Sequence, residues 1–156
     1  MKSVLFVCHG NICRSPMAEY IMKETVRKSG LGMPRIDSAA VSYEEEGNDI
    51  YPPAKRVLNA HGIPFGRHSA HRVTDSEASE YDLIVIMDSS NRRLLSRIIS
   101  PMNMSKVHMM MEYAGKDSDV SDPWYTGDFE KTCRDITEGC KGLLASLMND
   151  ESGSNL

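Results

Sequence analysis

Apolar and polar positions follow one another in blocks whose period changes along the chain. Residues 4–8, Val-Leu-Phe-Val-Cys, are an unbroken apolar run of strand length. From Pro16 to about Lys28, Ala18, Ile21, Met22 and Val26 recur at helical spacing, and Ser29-Gly30 supplies a stop. A short strand is expected over 36–41. Pro52-Pro53 opens a predicted helix in which Ala54, Val57, Leu58 and His61 share a face, with its end at Gly62. Thr74-x-x-Glu77 carries the capping-box signature of a short helix. Residues 83–87, Leu-Ile-Val-Ile-Met, are wholly apolar, as expected of a strand covered on both faces. Ser89 or Ser90 is expected to cap a helix through Leu94, Leu95, Ile98 and Ile99, and 107–111 is a fourth strand candidate. The last helix is the clearest, because Phe129, Cys133, Ile136, Cys140, Leu143 and Leu147 draw one apolar stripe along it. The chain from Asn149 onward is polar, and residues 150–156 are expected to form a flexible tail.

Strands alternating with helices predict an α/β fold, a parallel sheet joined by right-handed crossovers with helices on both faces. No repeat, linker or internal boundary is visible, so residues 1–149 are expected to be a single domain. A chain of 156 residues can bury a real core without metal or disulfide staples. Its net charge is −4, with 22 acids against 18 lysines and arginines, so no basic excess points to nucleic acid or an anionic membrane. The apolar run in MKSVLFVCHG is too short for a signal segment or a membrane span. Four cysteines, two of them crowded around an arginine, do not resemble a secreted disulfide framework; a reduced, cytoplasmic monomer is expected.

The candidate chemistry lies where the first strand ends, in VCHGNICRSP at 7–16. In parallel α/β sheets, ligands bind beyond the carboxyl ends of strands, where a loop enters a helix N-terminus. His9, Gly10, Asn11, Ile12, Cys13 and Arg14 form a loop whose backbone N–H groups can cradle an anion. Gly10 permits a positive φ, and Asn11 tolerates the left-handed region. Ser15 is expected to cap the helix, with Pro16 suited to its first turn. Cys8 would sit under the helix's partial positive charge and beside the Arg14 guanidinium, both of which favour a thiolate, and the Ser15 hydroxyl can add to them. Arg14 also offers a planar fork that matches two phosphate oxygens. A lone cysteine is usually a small buried hydrophobe, but here the motif stands between a strand and a helix. No Walker sequence is present.

The stretch VCHGNICRSPMAE resembles the signature of the low-molecular-weight protein tyrosine phosphatases. The likeness continues through DSAAVS at 37–42, HGI at 61–63, HSAHRVT at 68–74, YDLIVIMDSSN at 81–91 and DPWYTGDFE at 122–130. It implies a flavodoxin-like doubly wound sheet of four parallel strands. It also implies a two-step hydrolysis of phosphotyrosine without metal or other cofactor, acting on tyrosine-phosphorylated proteins or peptides and releasing inorganic phosphate. By that resemblance Cys8 is the nucleophile, and Arg14 with the amides of 9–14 holds the phosphate. Asp122 is the general acid and then base, as an Asp before Pro sits on an extended, positionable loop. Asn11 with Ser38 braces the turn, Ser15 assists the leaving thiolate, and His68 and Asp88 form a supporting pair. Trp124 and Tyr125 line the substrate mouth; in some relatives the matching tyrosine is itself phosphorylated. The family's usual wall aromatic falls at Glu44, with Tyr43 one place earlier, so the mouth is expected to be bordered by Glu44, Glu45, Glu46 and Asp49 and to disfavour acidic peptides.

Three rival readings remain at this stage. A thiol-dependent arsenate reductase needs two further cysteines on a segment before the acid loop, whereas Cys133 and Cys140 follow Asp122 on the apolar stripe of the last helix. An arginine phosphatase of the same family is similar but prefers threonine where this chain has Ile12. A phosphocysteine carrier would not need both Arg14 and a leaving-group acid. Finally, Cys13 is expected to guard Cys8 against oxidation by trapping its sulfenic acid as a disulfide.

Overall fold

In a computed structural model describing residues 1–154, with side chains through Glu151, the chain alternates between strands and helices. The order is β1 (Val4–Cys8), α1 (Arg14–Ser29), β2 (Ile36–Ala40), α2 (Pro52–Ala60), α3 (Asp75–Ala78), β3 (Leu83–Ile86), α4 (Ser89–Leu95), α5 (Pro101–Met104) and β4 (Val107–Met109). A 3-10 helix (Met110–Ala114), α6 (Pro123–Thr126) and α7 (Phe129–Ser154) complete it. All four strands are parallel, in the spatial order β2-β1-β3-β4. The sheet is therefore doubly wound and flavodoxin-like, as expected.

Every residue of β1 is buried, and its two faces serve two cores. Val4, Phe6 and Cys8 pack with Met17 and Ile21 of α1, Leu58 of α2 and Ile136 of α7. Leu5 and Val7 face the other way, onto Ala78, Leu95 and Ile99. Burial on both faces explains why the strand reads as a continuous apolar run with no alternation. Because β2 lies on one side of β1 and β3 on the other, the winding reverses at β1, and a crevice opens beyond its carboxyl end. That crevice receives the loop after Cys8.

The stripe on α7 is buried, with Cys133, Ile136, Cys140, Leu143 and Leu147 all in the first core. Two glycines let this helix approach the 3-10 helix. A Cβ on Gly142 would lie 1.8 Å from the Tyr113 carbonyl oxygen, and one on Gly139 would lie 2.9 Å from that of Met110. No helix among the described residues is long and apolar enough to cross a membrane.

Several boundaries differ from expectation, each for a local reason. Helix α1 begins at Arg14, two residues before Pro16, and its N-cap is Cys13 with no side-chain cap; Ser15 is not the cap. Helix α4 is capped by Asp88, in a reciprocal box with Asn91, and not by Ser89 or Ser90. It ends at Leu95, and Ser100-Pro101 then starts a separate turn of helix, α5. Strand β4 stops at Met109, whose N–H bonds Glu112 Oε1 at 3.0 Å and turns the chain into the 3-10 helix. Thr74 caps α3 as expected, but the Glu77 carboxylate goes to His71 and closes no box. His61 is exposed and pairs with Glu130 at 2.9 Å, off the buried face of α2. Helix α7 continues through Ser154, with Asp150 3.3 Å from Lys2 and Glu151 paired to the N-terminal ammonium. Of the expected tail, residues 155 and 156 lie outside the described residues.

Alanine in place of a mid-helix glycine ordinarily stabilises by about 1 kcal/mol. At Gly142 the added methyl meets backbone, so Gly142→Ala is expected to destabilise by about 1–3 kcal/mol, an overpacking cost. Urea unfolding checks this, and a midpoint higher than wild type would contradict it.

Candidate active site

Cys8 ends β1 with its thiol nearly buried, 3% exposed. The loop that follows turns back over the sulfur. Asn11 N–H donates to Cys8 Sγ at 3.3 Å and Ser15 N–H at 3.4 Å, and Ser15 Oγ lies 3.0 Å from the same sulfur. Two backbone donors therefore converge on the one sulfur, which in turn bonds the Ser15 hydroxyl. The left-handed residue of the turn is Asn11, at φ 61°, and not Gly10. Gly10 is needed for space, because a Cβ there would come 3.2 Å from Glu45 Cγ.

Asn11 is wholly buried and fully bonded. Its Nδ2 donates to Ser15 Oγ at 2.8 Å and to Ser38 Oγ at 3.0 Å, and its Oδ1 accepts the His71 N–H at 3.3 Å. The Asn11 carbonyl can only accept, so His68 carries its proton on Nε2, 2.6 Å away. Ser38 in turn donates to Glu19 Oε1 at 2.7 Å. Glu19 was not expected from the sequence; its signal is position, one turn after Ser15 on the same face of α1.

Arg14 is buried and held on three sides. Nη1 donates to Asp88 Oδ2 at 2.7 Å and to the Val120 carbonyl at 2.8 Å, while Nη2 reaches Asp122 Oδ2 at 3.4 Å. Burial opposes its charge, but negative charge on Cys8, Asp88 and Asp122 outweighs that and raises its pKa further. Asp88 spans two tasks, since Oδ1 caps α4 through the Asn91 N–H at 2.8 Å. His68 and Asp88 are therefore not a pair. No hydrogen bond joins them, and each holds the loop through a different partner.

Asp122 is the N-cap of α6, its Oδ1 accepting the Trp124 N–H at 3.0 Å. Asp122, Trp124 and Tyr125 line a cavity of about 130 Å³ together with Cys8, Ile12, Cys13 and Arg14. His9, Gly10, Glu44 and Glu45 also line it. Trp124 and Tyr125 are 52% and 85% exposed, a ready surface for a flat ring. Glu44 Oε2 lies 3.0 Å from His9 Nε2. Tyr43 is not at the mouth; its hydroxyl accepts from Arg72 Nη1 at 2.9 Å and its ring lies under that guanidinium. Glu46 accepts the Arg72 N–H at 3.1 Å and Asp49 holds Lys55 at 2.5 Å, so only two acids of the run face the cavity. All four cysteines are free, and burial pushes the Cys13, Cys133 and Cys140 thiols up.

A cavity lined by a thiol, a guanidinium and a carboxyl, with the Asn11 and Ser15 N–H groups turned onto the sulfur, suits a cysteine-dependent phosphatase on a doubly wound sheet. The profile of the family "Low molecular weight phosphotyrosine protein phosphatase" matches residues 3–153. The low molecular weight protein-tyrosine-phosphatase YfkJ of Bacillus subtilis is 39% identical over 155 residues, spanning 97% of this chain and 99% of that one. The crystal structure of YfkJ superposes with a TM-score of 0.89 at 40% identity, covering 96% of each chain. A Drosophila arginine phosphatase superposes at 0.85 with 31% identity, covering 94% of this chain and 98% of that one. The chain belongs to the low molecular weight phosphotyrosine protein phosphatases, and is a hydrolase of phosphotyrosine.

One buttress of the loop should depend on pH. His71 Nε2 lies 2.7 Å from Glu77 Oε2, and that bond, only partly offset by desolvation, raises the His71 pKa above its ordinary value. A folded-state pKa above the unfolded one gives a contribution complete below the unfolded pKa and lost as pH rises through the folded pKa. Glu77→Gln, which keeps the backbone N–H capped by Thr74, is expected to destabilise at about pH 6 and to be near neutral at about pH 9. Denaturant titrations at both values test this; an equal loss at both would exclude the charge of His71 as the cause.

Proposed function

We propose that Cys8, Arg14 and Asp122 carry the hydrolysis, and the observation behind this reading is their convergence on one cavity. The Cys8 thiolate attacks phosphorus in line with the tyrosyl oxygen; as the S–P bond forms the P–O bond breaks, and Asp122 passes its proton to the departing phenolate. Arg14 and the amides of 9–14 hold the equatorial oxygens through both steps. The Asp122 carboxylate then takes a proton from water, which attacks the phosphocysteine, breaks the S–P bond and releases inorganic phosphate and the thiolate. Ser15 supports the thiolate as it leaves, and Asn11, Ser38, His68 and Asp88 keep the loop in shape. No step calls for a metal. The substrates are tyrosine-phosphorylated proteins or peptides, met by a monomeric single-domain enzyme in the cytoplasm.

The likeness to an arginine phosphatase makes phosphoarginine the rival substrate, but Ile12 lines the cavity and offers an apolar contact for a phenyl ring. Cys133 and Cys140 are buried in the core, which disfavours a reductase that must pass a disulfide outward. A panel of phosphotyrosine, phosphoserine and phosphoarginine peptides, assayed with EDTA, beside arsenate with a thiol reductant, tests the class. Phosphotyrosine turnover alone is expected, with Lys- or Arg-flanked peptides favoured at low salt by Glu44 and Glu45. Cys8→Ser is expected to abolish turnover, and Asp122→Ala to slow aryl phosphates by about two to four decades. Wild-type rates in Asp122→Ala would remove it as the acid.

We also propose that Cys13 protects Cys8. An activated thiolate is open to peroxide, and a neighbouring thiol on the same curled loop can capture the sulfenic acid, expelling water and forming a Cys8–Cys13 disulfide that dithiothreitol reduces. After peroxide and then dithiothreitol, wild type is expected to regain most of its activity and Cys13→Ser much less. Equal recovery, or peptide mapping without an 8–13 linkage, would leave Cys13 as packing alone.

A further inference from the structure

Helix α2 begins on an unusual residue. Its N-cap is Tyr51, whose side chain makes no capping bond, where Ser, Thr, Asp or Asn would bond a first-turn N–H. Pro52 and Pro53 follow and bring no N–H groups, so they remove two of the donors a cap would serve. The side chain at 51 is thereby free for another task.

That task is legible in its contacts. The Tyr51 N–H donates to the Ile12 carbonyl of the phosphate loop at 2.9 Å. Its ring centroid lies 4.9 Å from that of Trp124, at 50° between planes, and 6.1 Å from that of Phe129. Tyr51 and Phe129 together pack against Ile12, Cys13 and Ala70, an apolar cluster separate from both main cores. The ring, not the hydroxyl, makes these contacts. Trp124 sits in α6, a helix of four residues that ends at Gly127 in the left-handed conformation. A single turn has little stability of its own. Its N-cap is Asp122, bonded to the Trp124 N–H, so whatever holds Trp124 also holds the Asp122 carboxyl.

We propose that Tyr51 is a positioning residue for the proton donor: its ring braces Trp124, and through Trp124 it fixes Asp122 over the cavity while its backbone is tied to the phosphate loop. This rests on the reading of Asp122 as the general acid.

The test compares kcat/KM on phenyl phosphate, whose leaving phenolate is strongly basic and needs a proton, with p-nitrophenyl phosphate, whose leaving group needs it far less. Tyr51→Leu is expected to lose about tenfold on phenyl phosphate and under about twofold on p-nitrophenyl phosphate, with competitive inhibition by inorganic phosphate unchanged. Tyr51→Phe, which keeps the ring, should restore wild-type values, and Tyr51→Met serves in place of the leucine variant if that one folds poorly. The double variant Tyr51→Leu/Asp122→Ala should be no slower than Asp122→Ala alone. Equal losses on both substrates, additive losses in the double variant, or no loss at all would overturn the proposal. If Asp122→Ala itself lacks the leaving-group dependence, the acid assignment falls and takes this inference with it; if only Tyr51→Leu lacks it, this inference falls alone.

Discussion

The buried guanidinium of Arg14 is the constraint around which this molecule is arranged. A cation withdrawn from water is tolerated only if it is paired and bonded on several sides. Here the partners come from two segments far from the phosphate loop in sequence: Asp88 from the turn after β3, and the Val120 carbonyl and Asp122 from the segment leading into α6. Meeting one charge's demands brings three loops to the carboxyl edge of the sheet. Arg14 also lines the cavity, beside Cys8 and Asp122.

A second constraint lies beneath the loop. The chain must reverse within a few residues and still aim its amides inward, and Asn11 takes the left-handed conformation that makes this possible. Burying an amide side chain costs free energy unless each of its groups is satisfied. Ser15, Ser38 and the His71 N–H satisfy them, with Glu19 closing the series from α1. The loop is thus held from behind by polar bonds and from the side by the apolar cluster of Ile12, Cys13 and Ala70. A loop held in this way is shaped by its own bonds.

The rim is built differently. Trp124 and Tyr125 are largely exposed, α6 is a single turn, and Glu44 and Glu45 also line the cavity, with Glu44 3.0 Å from His9. On this chain the cavity lining includes both aromatic rings and two acidic side chains.

The sequence by itself determined the parallel α/β architecture, because a strand buried on both faces must be apolar throughout and a helix on one face must carry a stripe. It also pointed to Cys8, Arg14 and their loop, since they are contiguous and stand where a strand meets a helix. What depended on contacts between distant segments could not be read from local pattern. The stripe on α7 is visible as a period, but the need for Gly142 appears only when the Tyr113 carbonyl lies against it. Asp88 in place of Ser89 or Ser90 as cap, Ser15 bonded to sulfur and not capping, and Tyr43 under Arg72 and not at the mouth were decided by partners elsewhere in the fold. Local propensity ranks which residues can do a job. Tertiary structure chooses among them, because a polar group withdrawn from water bonds the partner the fold places beside it.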